Sequence, residues 1–196
     1  LESETDAMNG KTTYAYDAAN EIRYTEDNTS RTTYTFDANG NQRIVKTPAG
    51  ALTTNTWDYE NRLTRVILAS GISNTFAYDP DGRRVKKAES SGTSKFVWDR
   101  ENVVLETDNS DATQVIYTLE PVIYGNLITQ YRSGATSFFH FDSVGSTSGL
   151  TNSSGSVTDT YIYSAFGKVL VGTGNTVNSL KYVGRHGYDE GQDHMQ

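Results

Sequence analysis

The chain has 196 residues, a formal net charge of −7, no cysteine and an aromatic content of 11%. This length suffices for a hydrophobic core, and the acidic balance argues against nucleic acid or an anionic membrane as a partner, since both attract basic surfaces. The lack of cysteine excludes a disulfide framework and a thiolate metal site. No apolar run is long enough to predict a membrane span.

A short motif, anchored on an acidic residue in all units but the last, recurs along the chain at intervals of 20 to 22 residues. A fixed period of this length is typical of repeat architectures. It predicts eight units over about 14–170, within a single repeat domain that covers 1–196. The anchors are Asp17, Asp37, Asp58, Asp79, Asp99, Glu120, Asp142 and Ser164.

Aromatic residues precede most anchors at two fixed positions, three residues and one residue before the anchor. Residues two apart on a strand point to the same face, so each unit places an aromatic pair on one side of a sheet. We expect this face to form the core. Examples are Tyr14 with Tyr16, Tyr34 with Phe36, Phe76 with Tyr78, and Phe96 with Trp98.

Glycine or asparagine follows most anchors by three residues, and Ile123 interrupts this column. Both residue types tolerate positive φ, and Asp at the first position of such a turn can accept a turn amide. Each unit is therefore predicted to be a β-hairpin. The fold class predicted is all-β, an antiparallel meander of about eight hairpins that forms a twisted, spiralling sheet, or partial β-shell. The column consists of Asn20, Gly40, Asn61, Gly82, Asn102, Gly145 and Gly167.

These hairpin units resemble the repeats of the Tyr-Asp (YD) repeat proteins, also called Rhs repeat proteins, over about 14–191. The stretches "FHFDSVGSTSGLTNSSGSV" (139–157), "YIYSAFGKVL" (161–170) and "YVGRHGYDEGQ" (182–192) are similar to more specific family elements. The last of them resembles the start of the family's conserved core, at about 180–192. No residue of the chain matches the aspartyl residues of the family's self-cleavage motif, so self-cleavage is not carried over. We interpret the chain as a fragment or an unusually small member.

The resemblance implies a non-catalytic shell or scaffold segment of a toxin-associated bacterial protein, secreted or at the cell surface. Family members coil a β-ribbon into a hollow shell that encloses or displays a polypeptide. The partners expected are adjoining segments of a larger chain or its passenger polypeptide, with carbohydrate as a further candidate and no nucleic acid. No cofactor is expected.

Two other functions remain open from the residues themselves. A carbohydrate-binding module would use exposed aromatic platforms, of which Trp57 and Trp98 are the largest. A polysaccharide lyase would need a base, an acid and a cation brought together, for which His140, Tyr163 and Arg185 are the candidates. The repeated carboxylates could bind calcium, but turn capping accounts for them, and we predict no metal site.

Overall fold

A computed structural model describes residues 2–5, 11–27 and 30–186 of the chain. By its internal contacts the chain divides into two compact units, Leu1–Thr93 and Ser94–Gln196. Each unit is described by itself below. The last part of the predicted core element, 187–192, lies outside the described residues, as does His194.

Both units are built almost wholly of short strands. Unit 1 contains β1 (Glu2–Thr5), β2 (Lys11–Tyr16), β3 (Ile22–Asp27), β4 (Ser30–Phe36), β5 (Gln42–Lys46), β6 (Leu52–Trp57), β7 (Leu63–Ile67), β8 (Ser73–Tyr78) and β9 (Arg84–Glu89). Unit 2 contains most of β10 (Gly92–Asp99), then β11 (Asn102–Thr107), β12 (Thr113–Leu119), β13 (Leu127–Arg132), β14 (Ala135–Phe141), β15 (Thr147–Asn152), β16 (Val157–Tyr163) and β17 (Val169–Thr173). A single 3₁₀ turn, Gly184–His186, follows among the described residues. No helix in the described part of the chain is long and apolar enough to cross a membrane.

Consecutive strands within each unit pair antiparallel, for example β2 with β3 and β14 with β15. This pairing confirms the all-β antiparallel meander of hairpins. Within a hairpin, the aromatic residues before the anchor lie opposite residues of the following strand rather than opposite the aromatic pair of another unit. Tyr34 lies opposite Val45, and Phe139 lies opposite Leu150.

A β-bulge recurs in the second strand of every hairpin that follows an anchor, a feature that the sequence pattern did not reveal. In the first hairpin, Ala15 pairs with Tyr24 and Tyr16 pairs with Ile22, which leaves one extra residue between the two partners. A bulge bends the strand and increases its twist. The extra residues are Arg23, Arg43, Thr64, Val85, Val104, Ile128, Ser148 and Leu170.

The turns after most anchors share one hydrogen-bond pattern. The amide three residues on donates to the anchor's carbonyl at 3.0–3.2 Å, and its residue has a φ of 60–87°. Where the anchor is Asp, its Oδ1 also accepts the amides two and four residues on. The full set of bonds occurs at Asp17, Asp37, Asp58, Asp79 and Asp142, with Asn20, Gly40, Asn61, Gly82 and Gly145 at positive φ. Ser164 and Gly167 close the last such turn.

Two anchors depart from this pattern. Asp99 is the last residue of β10 and pairs directly with Asn102, so its hairpin has a two-residue loop with Arg100 at a φ of 56°. Asn102 is thus both the fourth residue of this turn and the first residue of β11. Glu120 starts a wider loop, in which its amide donates to the Asn126 carbonyl at 3.0 Å. This wider loop, 120–126, is where Ile123 breaks the glycine column.

The buried core of unit 2 is closed by a non-strand segment, residues 174–186, which we call the strap. Leu180 of the strap packs into one apolar cluster with Val115, Tyr117, Leu127, Phe139 and Leu150. The strap is held along its length by the sheet: Gln130 Nε2 donates to the Val177 carbonyl at 3.1 Å, and Thr147 Oγ1 donates to the Leu180 carbonyl at 2.6 Å. Burial of the apolar side chains of this cluster stabilises unit 2.

The inward aromatic pairs expected from the repeat are visible beside the strap. The rings of Phe139 and Phe141 stack with centroids 6.0 Å apart, and those of Tyr161 and Tyr163 are 6.4 Å apart. Tyr182 of the strap packs on Tyr163 at 6.0 Å. In unit 1 the buried side chains are fewer: Ala15, Leu63, Val66 and Asn74 among the described residues. Its aromatic pairs are only half-buried, with Tyr16 exposed.

Candidate binding pocket

A pocket of about 470 Å³ opens beside the strap, wholly within unit 2. Its volume lies in the range of pockets that bind small ligands or single side chains. The walls come from β10, β11, β12, the 120–126 loop and the strap. The lining residues are Phe96, Trp98, Glu101, Asn102, Val103, Glu106, Tyr117, Leu119, Tyr124, Gly125, Leu127, Ser179, Leu180 and His186.

The two irregular repeat units shape the mouth of this pocket. The short hairpin places Glu101 and Asn102 there, and the wide loop contributes Tyr124 and Gly125. Asn102 joins the two: its Nδ2 donates to the Val122 carbonyl at 2.9 Å, and its Oδ1 accepts the Gly125 amide at 3.0 Å. The loop is therefore tied to the start of β11 by one side chain.

The floor of the pocket carries a part-buried hydrogen bond between a phenol and a carboxylate. Tyr117 Oη donates to Glu106 Oε1 at 2.7 Å, and the Glu106 side chain is 14% exposed. Burial raises the pKa of Tyr117 far above its usual value, and the neighbouring Glu106 carboxylate raises it further. The phenol therefore stays protonated and acts as a donor. Arg132 Nη2 lies 3.9 Å from Glu106 Oε2, beyond hydrogen-bond distance.

The mouth of the pocket is more open than its floor. Tyr124 has 79% of its surface exposed, and Glu101 is also exposed. Trp98 is half-buried along the wall. The pocket thus combines aromatic surface that is open to a ligand with carboxylates at two depths.

The two tryptophans predicted as binding platforms have different surroundings. Trp98 lines the pocket, whereas Trp57 belongs to unit 1 and donates its indole N–H to the Gln42 carbonyl at 2.9 Å. Asn55 Nδ2 donates to the same carbonyl at 3.1 Å. The polar edge of Trp57 thus joins β6 to β5 of the preceding hairpin. Of the two tryptophans, Trp98 is therefore the one that lines the pocket.

The three residues of the lyase hypothesis have hydrogen bonds to three different partners. His140 Nε2 lies 2.9 Å from Thr151 Oγ1 on an exposed part of the sheet. Tyr163 Oη donates to the Thr147 carbonyl at 2.7 Å, and Arg185 Nε donates to Asn126 Oδ1 at 2.7 Å. Each of these bonds holds a strand or the strap in place. Of the histidines in the described part of the chain, it is His186 that lines the pocket.

The repeated carboxylates act within their own turns. Asp58 and Asp79 form ion pairs with Arg62 and Arg83 at 2.7 and 2.8 Å, in addition to capping turn amides. The pKa of Asp58 is lowered, chiefly because the Arg62 amide donates to its carboxylate. No group of three potential metal ligands occurs among the described residues.

The sequence pattern missed most of the pocket. It singled out Trp98 but gave no role to Glu101, Glu106 or Tyr124. The sequence feature that could have indicated the pocket is the interruption of the repeat. Glu120 replaces the usual Asp anchor and Ile123 replaces the usual Gly or Asn, and these two positions lie in the loop that forms the mouth. The strap has no repeat periodicity, so its path across the sheet could not be anticipated.

Comparison with known proteins gives sequence relatives and structures of the same fold. No family model matches the chain. It is 31% identical over 163 residues to the tRNA3(Ser)-specific nuclease WapA of Bacillus spizizenii, a match that covers 79% of this chain and 7% of that protein. It is 25% identical over 189 residues to the double-stranded DNA deaminase toxin A of Burkholderia cenocepacia, covering 80% of this chain and 13% of that protein. The chain thus spans only a small part of the length of these relatives.

Two solved structures share the fold at low sequence identity. A crystal structure of TcdB2-TccC3 matches with a TM-score of 0.50 and 14% identity, covering 89% of this chain and 13% of that one. A structure of the Photorhabdus luminescens Tc holotoxin pore matches with a TM-score of 0.50 and 15% identity, again covering 89% of this chain and 13% of that one. The sequence relatives and the shared fold together support the Rhs-type repeat family that the sequence pattern predicts.

Proposed function

We propose that this chain is a non-catalytic shell segment of a larger, secreted or surface-exposed bacterial protein, in which it encloses or displays a passenger polypeptide. The observation that carries the proposal is that relatives with different named activities share this stretch. One is a tRNA nuclease and another is a DNA deaminase toxin, yet about four-fifths of this chain aligns with each. A segment common to proteins of different chemistry supplies something other than that chemistry, and a container or scaffold is the simplest common role.

The use of the polar groups in the repeats supports a structural role. The anchor carboxylates accept their own turn amides, and Asp58 and Asp79 also pair with arginines of the same turn. The hydroxyls of Tyr163 and Thr147 hold neighbouring strands and the strap. These side chains form hydrogen bonds with backbone amides and carbonyls in the turns and in the buried part of the sheet. This is the expected use of polar side chains in a scaffold.

The expected partners follow from this role. A shell segment contacts adjoining segments of its own chain on its edges and the passenger on its enclosed face. Secretion or surface display would suit a toxin-associated container, as the toxin names of the relatives suggest.

The test is to determine the native polypeptide that contains this sequence. Intact mass, together with peptide mapping of both ends, gives its full extent. The proposal expects a chain several times longer than 196 residues, with a segment of different composition beyond the repeats. A native polypeptide that consists of these residues alone would overturn the container role.

A further inference from the structure

One side of the sheet in unit 2 is free of charge over six neighbouring strands. The described strands β12–β17 contain two residues that are charged at neutral pH, Arg132 and Asp159. Arg132 lies opposite Val115 and Asp159 lies opposite Leu150, so both point to the side of the core cluster. The other side of these strands, which we call the outer face, therefore presents no carboxylate, lysine or arginine among the described residues of the six strands.

Large apolar side chains lie on this outer face. The strand register places Ile116 opposite Tyr131, and Ile162 opposite Val171. Phe138 of β14 is diagonal to Tyr131 on the same face. These five residues keep 39–58% of their surface exposed. Exposed apolar side chains that share one face, with no charge between them, are typical of an interaction surface.

The repeat itself does not require this composition, because unit 1 carries charge at the same positions. Lys46 lies opposite the residue four before its anchor, and Tyr131 holds the same position in unit 2. Arg65 lies opposite the residue two before its anchor, where unit 2 has Val171. The charge-free outer face is thus a property of unit 2 and not of the repeat.

The outer face is large enough for a stable contact between two proteins. Strands spaced about 4.8 Å apart, with about 3.3 Å per residue, give these six strands a face of roughly 29 by 20 Å, or about 600 Å² on each partner. Two such faces make about 1,200 Å², which is the lower end of the range for stable protein–protein interfaces. Two sheets pack face to face about 10 Å apart with their side chains interdigitated.

A second copy of this chain is the partner that fits the charge and the shape of this face. The chain carries a net charge of −7, so two copies repel wherever their charged surfaces meet. This repulsion is smallest where both copies present a face without charge. A two-fold contact also brings the same patch of both copies together, so that an apolar sheet face meets a matching one. We propose that two copies of this chain associate through the outer faces of unit 2, sheet against sheet. This association goes beyond the shell role, since it assigns a partner to the face opposite the core cluster.

The first test measures the mass of the complete 196-residue chain by sedimentation velocity. We expect the mass to rise from 21.6 kDa to twice that value between about 1 and 100 µM, because modest interfaces of this kind reach micromolar affinity. Tyr131→Lys should weaken the dimer at least about tenfold, since each copy would bury an unpaired ammonium group. Its fold should persist, because Lys46 holds the corresponding position in unit 1, and a melting curve checks this. Thr35→Lys adds the same charge at an exposed position of unit 1 and should dimerise as the parent does.

Hydroxyl-radical footprinting of the unsubstituted chain locates the contact. With the radical dose matched, Tyr131 and Phe138 should be oxidised more slowly at the concentration where the dimer forms than at the monomeric one. Phe166 is a turn residue with 93% of its surface exposed, and it should react equally at both concentrations.

A parent chain that stays monomeric over the whole range would overturn the proposal, as would a Tyr131→Lys variant that dimerises as the parent does. A mass that continues to grow beyond the dimer would also overturn it, because such growth indicates open-ended pairing of strand edges. If Tyr131→Lys does not fold, the footprint of the parent decides the point, and unchanged oxidation of Tyr131 and Phe138 in the dimer would contradict the proposed face. None of these results alters the native mass measurement, so failure of the dimer and failure of the container role are distinguished.

Discussion

The ring of Tyr182 in the strap lies directly over Gly167, so closely that a Cβ at Gly167 would be 2.6 Å from its Cδ1 and Cγ atoms. Gly167 also has a φ of 86°. Gly167 therefore has two roles: it adopts the positive φ of the last repeat turn, and its lack of a side chain leaves room for the Tyr182 ring of the strap. By contrast, a Cβ at Gly82 would meet nothing within 4 Å, although its φ is 85°.

This contrast predicts different costs for the same substitution. Gly82→Ala should destabilise the fold by about 1 kcal/mol, because only the backbone conformation is strained. Gly167→Ala should cost about 1–3 kcal/mol more, because the Tyr182 ring must also move. Urea unfolding of both variants gives the comparison. Equal midpoints and slopes for the two would contradict the described packing of the strap.

The strap is predicted to contribute to stability mainly through one side chain. Leu180 is 8% exposed within the core cluster, so Leu180→Ala should destabilise unit 2 by about 2–5 kcal/mol. Val177 is 64% exposed, and Val177→Ala should change stability by less than about 0.5 kcal/mol. Thermal melting of the two variants beside the parent tests this. A small effect at Leu180 would mean that the strap does not close the core.

The turn carboxylates predict a specific dependence of stability on pH. The pKa of Asp58 in the folded chain is below its ordinary value of 3.8, since the Arg62 amide donates to the carboxylate. A lowered folded pKa adds stability that is complete above pH 3.8 and is lost as pH falls through the lower folded value. Asp37 shifts in the same direction, chiefly through the Asn41 amide.

Asp58→Asn isolates this contribution. Asn152 already accepts two turn amides through Oδ1, at 3.0 Å each, so asparagine preserves the turn while removing the charge. The melting temperature of Asp58→Asn should fall less steeply than that of the parent on acidification below pH 3.8. Parallel curves for the two proteins would show that Asp58 does not contribute to acid unfolding.

The mouth of the pocket is predicted to depend on Asn102. Because Asn102 Oδ1 accepts the Gly125 amide, Asn102→Ala should raise the hydrogen-exchange rate of that amide about tenfold. Asn102→Asp keeps the acceptor and loses the donation to the Val122 carbonyl, so Gly125 should remain protected. Exchange at Gly125 that is insensitive to both substitutions would show that another contact holds the 120–126 loop.

The regular part of the fold was readable from the sequence because its chemistry repeats. Asp37 with Gly40, and Asp79 with Gly82, encode a local turn whose hydrogen bonds lie within five adjacent residues. The bulges were not readable, since the extra residues range from charged Arg23 to polar Ser148 and apolar Val85 and so do not mark the position by one residue type. The position of each bulge follows from the pairing between strands, and the residue types at aligned positions of the repeat do not show that pairing.

The candidate site was harder to predict because it arises where the repeat fails. Asp99 matches the anchor column, yet it is followed by a two-residue hairpin loop instead of the regular turn. This short loop brings Glu101 and Asn102 to the pocket. Leu180 reaches the core from outside the repeats, where its carbonyl accepts a hydrogen bond from the hydroxyl of Thr147, 33 residues away in sequence. Such contacts depend on long-range packing, and a local pattern does not encode them.

Limited proteolysis of the native polypeptide tests the container role most directly. The intact protein is digested at low protease concentration, and mass spectrometry follows the segment beyond the repeats. Enclosure predicts that this segment survives in the folded parent and is cut rapidly when Leu180→Ala opens the strap, while Val177→Ala protects it as the parent does. Equally rapid cleavage of the segment in the parent, with the repeats still folded, would contradict enclosure.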